Sequence, residues 1–302
     1  MLQSPLNYTG GKFKLLSQIL PHFPQNINTF VDLFCGGGNV GINVQCRQVL
    51  FNDINHNVIG ILEAFKKLNK DDIFQTIQNT IEKYHLSLSS SYGYKHYLCN
   101  SKDGLSKYNR DAFLTLKNYW NHLNNYDDQY YILLYVLVVY SFNNQIRFNR
   151  KGHFNLPVGK RDFNRKMQNK LELFINRFHE IECNFSKIDF QEFDINTLDE
   201  NDFVYIDPPY LITCATYNEQ GGWNNDLEKK LYTFLDDLHA HNIRFALSNV
   251  LTSKGRVNFI LQEWLANNAQ YHCIHLDYNY SNSSYHTIDR KAGSDEVLII
   301  NY

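Results

Sequence analysis

Phe30-Val31-Asp32-Leu33-Phe34-Cys35-Gly36-Gly37-Gly38-Asn39-Val40-Gly41 is the stretch that decides the fold class. Phe30 to Phe34 reads as a short buried strand, and it runs into a turn that satisfies G-x-G-x-x-G from Gly36 to Gly41. Such a turn brings backbone close to a ligand, and an acid about 20 residues on can hold ribose hydroxyls. Asp53 stands where that acid belongs, closing a second strand, Val49-Leu50-Phe51-Asn52-Asp53. A parallel pair with an intervening helix is the economical expectation. The two signals together point to an adenosine-type cofactor, and at this point NAD and S-adenosylmethionine are equally open.

Working outward, Leu15 to Leu20 has helical character and stops at Pro21. After about Asn57 the pattern changes to amphipathic helical stretches at Val58–Leu68, Ile73–Tyr84, Asp111–Leu123 and Tyr130–Tyr140. Phe142 to Gly159 is rich in Asn, Gly and basic residues and reads as an exposed loop or hairpin, after which helical character resumes around Arg165–Glu180. Strand signals return at Phe203–Asp207, Arg244–Ser248 and Glu296–Ile300, with a helix expected at Leu227–His239. The expected organisation is an α/β domain built from residues 1–57 and 183–302, interrupted by a largely helical insertion over 58–182.

Composition narrows the class. With 302 residues, 43% hydrophobic and 20% charged, the chain can bury a core and is not of disordered composition. The six cysteines are scattered without C-x-x-C or zinc spacing and read as free thiols in a reducing compartment. No signal-like N-terminus is evident, and the longest apolar run, Tyr130–Tyr140, is too short to span a bilayer, so a cytoplasmic protein without membrane partners is expected. The net charge of −2 argues against a nucleic-acid binder, but its distribution does not. Between Asn144 and Lys170 stand Arg147, Arg150, Lys151, Lys160, Arg161, Arg165, Lys166 and Lys170 against the single acid Asp162. Local density of this kind suits a polyanion.

Asp207-Pro208-Pro209-Tyr210, at the end of a predicted strand, separates the two cofactors. The lone pair of an adenine amino group is conjugated into the ring and is a poor nucleophile. A carboxylate from Asp207 and the carbonyl of Pro208 can accept both N–H bonds and bend the nitrogen toward tetrahedral geometry. The lone pair is then free to attack a sulfonium methyl in line. Consecutive prolines fix the backbone so that both acceptors converge, and Tyr210 offers a flat face to an extruded base. The bland reading, a Pro-Pro turn after a strand, accounts for none of this.

The whole set resembles the Dam-type DNA adenine N6-methyltransferases of the alpha group. The matching segments run in order along nearly the whole chain: Pro5-Leu6-Asn7-Tyr8-Thr9-Gly10-Gly11-Lys12, Asp32-Leu33-Phe34-Cys35-Gly36-Gly37-Gly38, Phe51-Asn52-Asp53, Asp189-Phe190, Asp207–Tyr210, Leu247-Ser248-Asn249 and Glu296–Tyr302. The resemblance implies a Rossmann-like class I S-adenosylmethionine-dependent fold with a helical target-recognition insertion and no metal requirement. It implies that Tyr8, Lys12, Asp32, Phe34, Gly36, Gly38 and Asp207 line the cofactor pocket, that Asp53 holds the ribose, and that Asp189 and Phe190 read the cofactor's adenine. The implied setting is bacterial or phage-encoded, at the nucleoid, either in a restriction-modification system paired with a restriction endonuclease or as an orphan or phage methylase.

The hairpin at 142–159 is similar to the family's target-recognition hairpin. Arg147 can donate two bonds to a guanine edge, and Asn149 and Asn155 can reach bases or phosphates. Arg150, Lys151, Lys160 and Arg161 are expected on phosphates, with Asn7, Asn144, Gln145 and Pro157 also at the DNA. The family's GATC readers usually carry Lys where this chain has Asn7 and an apolar residue where it has Gln145. The resemblance thus implies double-stranded DNA with an adenine-containing target, without implying GATC. Residues 279–290, where the family contacts the DNA backbone, take no assignment. The rival readings are methylation of RNA or of a glutamine side chain, an NAD-dependent dehydrogenase, and a non-enzymatic DNA-binding module.

Overall fold

The computed structural model describes residues 1–8, 10–100, 102–213, 222–277 and 293–302. The segment 279–290 therefore lies outside the described residues. In chain order the elements are a short helix α1 (Leu16–Ile19), strands β1 (Thr29–Asp32) and β2 (Gln48–Asn52), and helices α2 (His56–Lys67), α3 (Lys70–Tyr84), α4 (Ser89–His96), α5 (Ser106–Asn121), α6 (Asp128–Tyr140) and α7 (Arg165–Glu180). They continue with β3 (Cys183–Ser186), β4 (Phe203–Ile206), α8 (Asn225–Ala240), β5 (Arg244–Ser253), β6 (Arg256–Val257), α9 (Phe259–Asn267), β7 (His272–Leu276) and β8 (Ser294–Ile300). The chain divides into two compact units, one of residues 1–11, 36–42 and 55–182, the other of 12–35, 43–54 and 183–302.

The second unit holds every described strand, in one sheet of order β3-β2-β1-β4-β5-β8-β7 with β6 appended to β5. Neighbours from β3 to β5 are parallel, whereas β8 runs antiparallel to both β5 and β7. This doubly wound sheet is the class I S-adenosylmethionine-dependent methyltransferase fold. Its strand order reverses on either side of β1, and in such sheets ligands sit beyond the carboxyl ends of the strands at the reversal. One sheet face carries Val31, Leu33, Val204, Ile206, Phe245, Leu247, Val297 and Ile299 against α8 and α9. The other carries a ladder of rings, Phe23, Phe30, Phe203 and Tyr205, with centroids 4.9 to 6.4 Å apart.

One expectation fails here. No α-helix lies between β1 and β2; the crossover contains only a single 3-10 turn, Gly41–Asn43. Within the crossover Gly36 and Gly38 take left-handed backbone, at φ +47° and +73°, which a right-handed helix does not accommodate.

The first unit is helical. Helix α6 is buried along nearly its whole length, from Tyr130 to Tyr140, and packs against α2, α3 and α5. A helix apolar on all sides belongs at the centre of a bundle. Asp127 caps it by accepting from the Tyr130 amide, as Asn55 caps α2 and Asn164 caps α7. Gly60 lets α2 approach α6: a Cβ there would fall 2.1 Å from the Tyr131 ring. No helix among the described residues is long and apolar enough to cross a membrane.

Candidate active site

In the strand unit the candidate residues gather where the parallel strands end. β4 delivers Asp207-Pro208-Pro209-Tyr210 directly after Ile206, and Asp32 closes β1 in register with Tyr205. Lys12, at the start of a 3-10 turn, places Nζ 2.7 Å from Asp207 Oδ1 and 4.7 Å from the Tyr210 ring centroid. Lys12 and Tyr210 are buried, and Asp207 is 17% exposed. Burial pushes the Asp207 carboxyl above the ordinary aspartate range, and the Lys12 ammonium pulls it back. Lys12, and after it the Tyr210 hydroxyl, are the groups that favour its ionised form.

Asp53 follows β2, and its backbone N–H donates to the Ser186 carbonyl at 3.4 Å. Beside it, Asn52 ties three strand ends together. Its Nδ2 donates to the carbonyls of Leu33 and Ile188, and its Oδ1 accepts from the Ser186 hydroxyl at 2.6 Å and the Ile188 amide. Burial pushes the Cys35 thiol pKa up, and the charges of Asp53 and Asp32 push it further, so the ends of β1 and β2 concentrate negative charge. Phe34, Phe190 and Trp223 form a triangle of rings with centroids 5.7 to 5.9 Å apart. Asp189 turns its carboxylate onto the Gln191 amide and side chain, capping the short turn that holds Phe190. Trp223 was not singled out from the sequence, and Asn52 was read only as part of the Phe51-Asn52-Asp53 segment, without the strand-tying role it has at the end of β2.

Leu247-Ser248-Asn249 has a structural explanation. Ser248 meets the Tyr205 hydroxyl at 2.7 Å. Asn249 donates to Glu228, a fully buried carboxylate that also receives Tyr232, Asn258 and Trp223.

In the helical unit Gly36 has φ of +47°, and a Cβ on it would lie 2.7 Å from the Tyr8 ring. Gly38 is also left-handed, at +73°. Glycine is the residue that takes both conformations without strain and lets Tyr8 lie flat on the loop. Asn39 accepts from the Ser4 amide, and Asn7 donates to the Asn143 carbonyl at 2.6 Å.

The 142–159 segment is a hairpin, bridged at Ser141–Val158 and Phe148–Phe154. Asn121 on α5 exchanges two bonds with the Phe154 backbone, and Phe154 packs edge-on to Trp120. Arg147 donates Nε to Asn155 Oδ1 at 2.8 Å, so Asn155 holds the guanidinium. Asn149 Oδ1 accepts from the Lys151 and His153 amides and makes the turn. Asn144 is buried, left-handed at φ +54°, and donates to Val139. Gln145 is half-buried, while Arg150, Lys151, Pro157, Lys160 and Arg161 are exposed. Asp162, the one acid of the basic run, is fully buried on Ser87 and Ser89. Of the charged residues in that run, it is the cations that reach water.

Comparison with known proteins gives these geometries a context. The family model described as D12 class N6 adenine-specific DNA methyltransferase matches residues 8–291. The modification methylase StsI of Streptococcus sanguinis and the type II methyltransferase M.FokI of Planomicrobium okeanokoites are each 42% identical over the whole chain, which spans only 43% of either relative. The DNA adenine methylase of Salmonella typhi is 26% identical over 70% of the chain and 66% of its own length. By the extent of the family match, the chain belongs to the D12 class N6 adenine-specific DNA methyltransferases.

Proposed function

We propose that the protein transfers a methyl group from S-adenosylmethionine to the N6 amino group of an adenine extruded from double-stranded DNA. The observation that carries this reading is the Lys12–Asp207–Tyr210 group at the end of β4. Asp207 and the Pro208 carbonyl accept the two amino hydrogens, Lys12 favours the ionised carboxylate, and the base stacks on the Tyr210 face that Lys12 does not cover. The methylated nitrogen then gives up one proton, for which Asp207 is the adjacent base.

The donor set suits the proposed methyl donor, which when bound supplies an electrophilic methyl on a sulfonium sulfur. We assign Asp53 to the ribose hydroxyls, the Phe34–Phe190–Trp223 rings to the adenine, and the acidic end of β1 at Asp32 to the positively charged methionine portion. Asp189, through its cap, positions Phe190. Tyr8, Gly36 and Gly38 take a part in cofactor binding that rests on the motif and on backbone that only glycine tolerates. A dinucleotide is disfavoured because its pyrophosphate needs a helix N-terminus after the glycine loop, and a 3-10 turn stands there instead.

The helical unit is assigned to target recognition, with the hairpin as its reading head. Burial lowers the pKa of Lys170, and the charges of Lys166 and Arg161 lower it further, which marks a surface of concentrated positive charge. Duplex DNA fits that surface better than a protein glutamine does. The relatives named modification or type II methylases favour a restriction-modification setting, in which an endonuclease cuts the unmethylated site. The test is direct: protein, labelled S-adenosylmethionine and long unmethylated duplex DNA are incubated, and the DNA is digested to nucleosides. Label in N6-methyldeoxyadenosine is expected. Label in cytosine, in RNA or in protein alone would overturn the reading.

A further inference from the structure

Glu296 is a buried acid to which no step above gives a role; it is 2% exposed. It lies on β8 opposite Val250 of β5, and the next same-face pair is Leu298 with Ser248. Paired residues in a sheet share a face and alternate along each strand, so Glu296 lies on the face of Ser248, whose hydroxyl meets Tyr205. Asp207 follows Tyr205 on that same side, and Lys12 pairs with it. The charged and titratable groups that act on Glu296 or feel its charge are Lys12 from the first turn, Asp207 and Tyr210 after β4, and Tyr205 from β4. The neighbouring ion pair His275–Asp295 sits at alternate positions of β7 and β8, on the opposite face.

We propose that Glu296 is a positioning residue whose charge tunes the Asp207 clamp, an inference that rests on the methyl-transfer reading. Lys12 carries one positive charge, pairs with Asp207 and acts electrostatically on Glu296. With Glu296 protonated, the Lys12–Asp207 pair is neutral. With Glu296 ionised, the cluster carries one net negative charge at the place where the adenine nitrogen becomes cationic. As that nitrogen forms its bond to the methyl carbon, the S–C bonding pair stays with sulfur, and one N–H proton passes to Asp207 and then to water. Positive charge therefore builds up beside the cluster and is relieved by proton loss, and both changes favour an ionised Glu296. Burial raises the Glu296 carboxyl to about 7, Lys12 opposes the shift, and Asp207 adds to it. The switch thus falls within the physiological range.

Single-turnover methyl transfer to long unmethylated duplex DNA, followed from pH 5.5 to 8.5, tests the inference. The wild-type rate is expected to rise roughly tenfold through an inflection near pH 7, the scale of one nearby charge. Glu296→Gln should lose that inflection and hold the low-pH rate, while binding S-adenosylhomocysteine by calorimetry as the wild type does. His275→Gln should keep the wild-type profile. An unfolding titration gives an activity-free readout: the stability of wild type relative to Glu296→Gln should fall as pH rises from 4.5 through 7. Superimposable rate profiles from an active wild type and an active Glu296→Gln would overturn the inference alone. A wild type that transfers no methyl to DNA would overturn the underlying reading as well.

Discussion

The clamp at the end of β4 and the hairpin at 142–159 use polar side chains in opposite ways. At the clamp, Lys12, Asp207 and Glu296 come from three distant parts of the chain and are mostly buried, so the charge states of the two carboxyls depend on their neighbours. In the hairpin, Arg147 and Asn155, or Asn149 with Lys151 and His153, are near neighbours in sequence that bond at a partly exposed surface. A buried charge that loses its partner is costly, whereas an exposed one is rescued by water. Errors in the first region should therefore propagate into folding and charge, and errors in the second should stay local and affect which DNA is chosen.

The comparison breaks most readily at Lys12. Lys12→Met leaves the Asp207 carboxylate buried beside Glu296 without its counter-ion, which should cost about 3–5 kcal/mol in urea unfolding at pH 8. Asp207, already raised by burial, would then take up a proton more readily, so the loss should shrink at pH 5.5. Equal losses at both pH values would show that Lys12 matters through packing.

Arg147→Ala should leave folding intact and relax discrimination at one base pair by about 1–3 kcal/mol, measured as the ratio of affinities for cognate and substituted duplexes. Asn155→Ala should do the same more weakly, by about 1 kcal/mol, because it removes the brace and keeps the fork. If Asn155→Ala cost more than Arg147→Ala, Asn155 itself would be at the bases. The smallest effect is expected at exposed Lys151. Lys151→Ala should weaken every duplex alike and lower the slope of log affinity against log salt by about 1. A change confined to one sequence would make it a base reader.

Legibility in the sequence followed the same division. The central strands were readable because both faces are covered, which forces contiguous apolar runs such as Phe203–Ile206. Besides the two-residue β6, the strands that left no signal are β3 and β7 at the sheet edges, where Asn184, His272 and His275 are exposed and interrupt any apolar run. Helix α4 was missed because Gly93 breaks its helical geometry and none of its residues is buried. At the site, Asp207–Tyr210 and the glycine loop are contiguous and were visible as motifs. The Lys12–Asp207 pair and the placement of Glu296 depend on sheet topology, which no local spacing records. Asn149 and Asn155, expected at the DNA, proved to be engaged with the hairpin itself, a local role that their spacing did not distinguish from base contact.

The proposal that the β4 clamp acts on the reacting nitrogen stands or falls with Asp207→Ala, assayed for cofactor affinity, DNA affinity and single-turnover methyl transfer on one preparation. The carboxylate acts chiefly as the nitrogen rehybridises, so both affinities should stay within a few-fold of wild type while the transfer rate falls by about 10²-fold or more. A variant that binds normally and transfers within a factor of about ten of wild type would contradict the account, because the loss of a transition-state acceptor cannot be that mild.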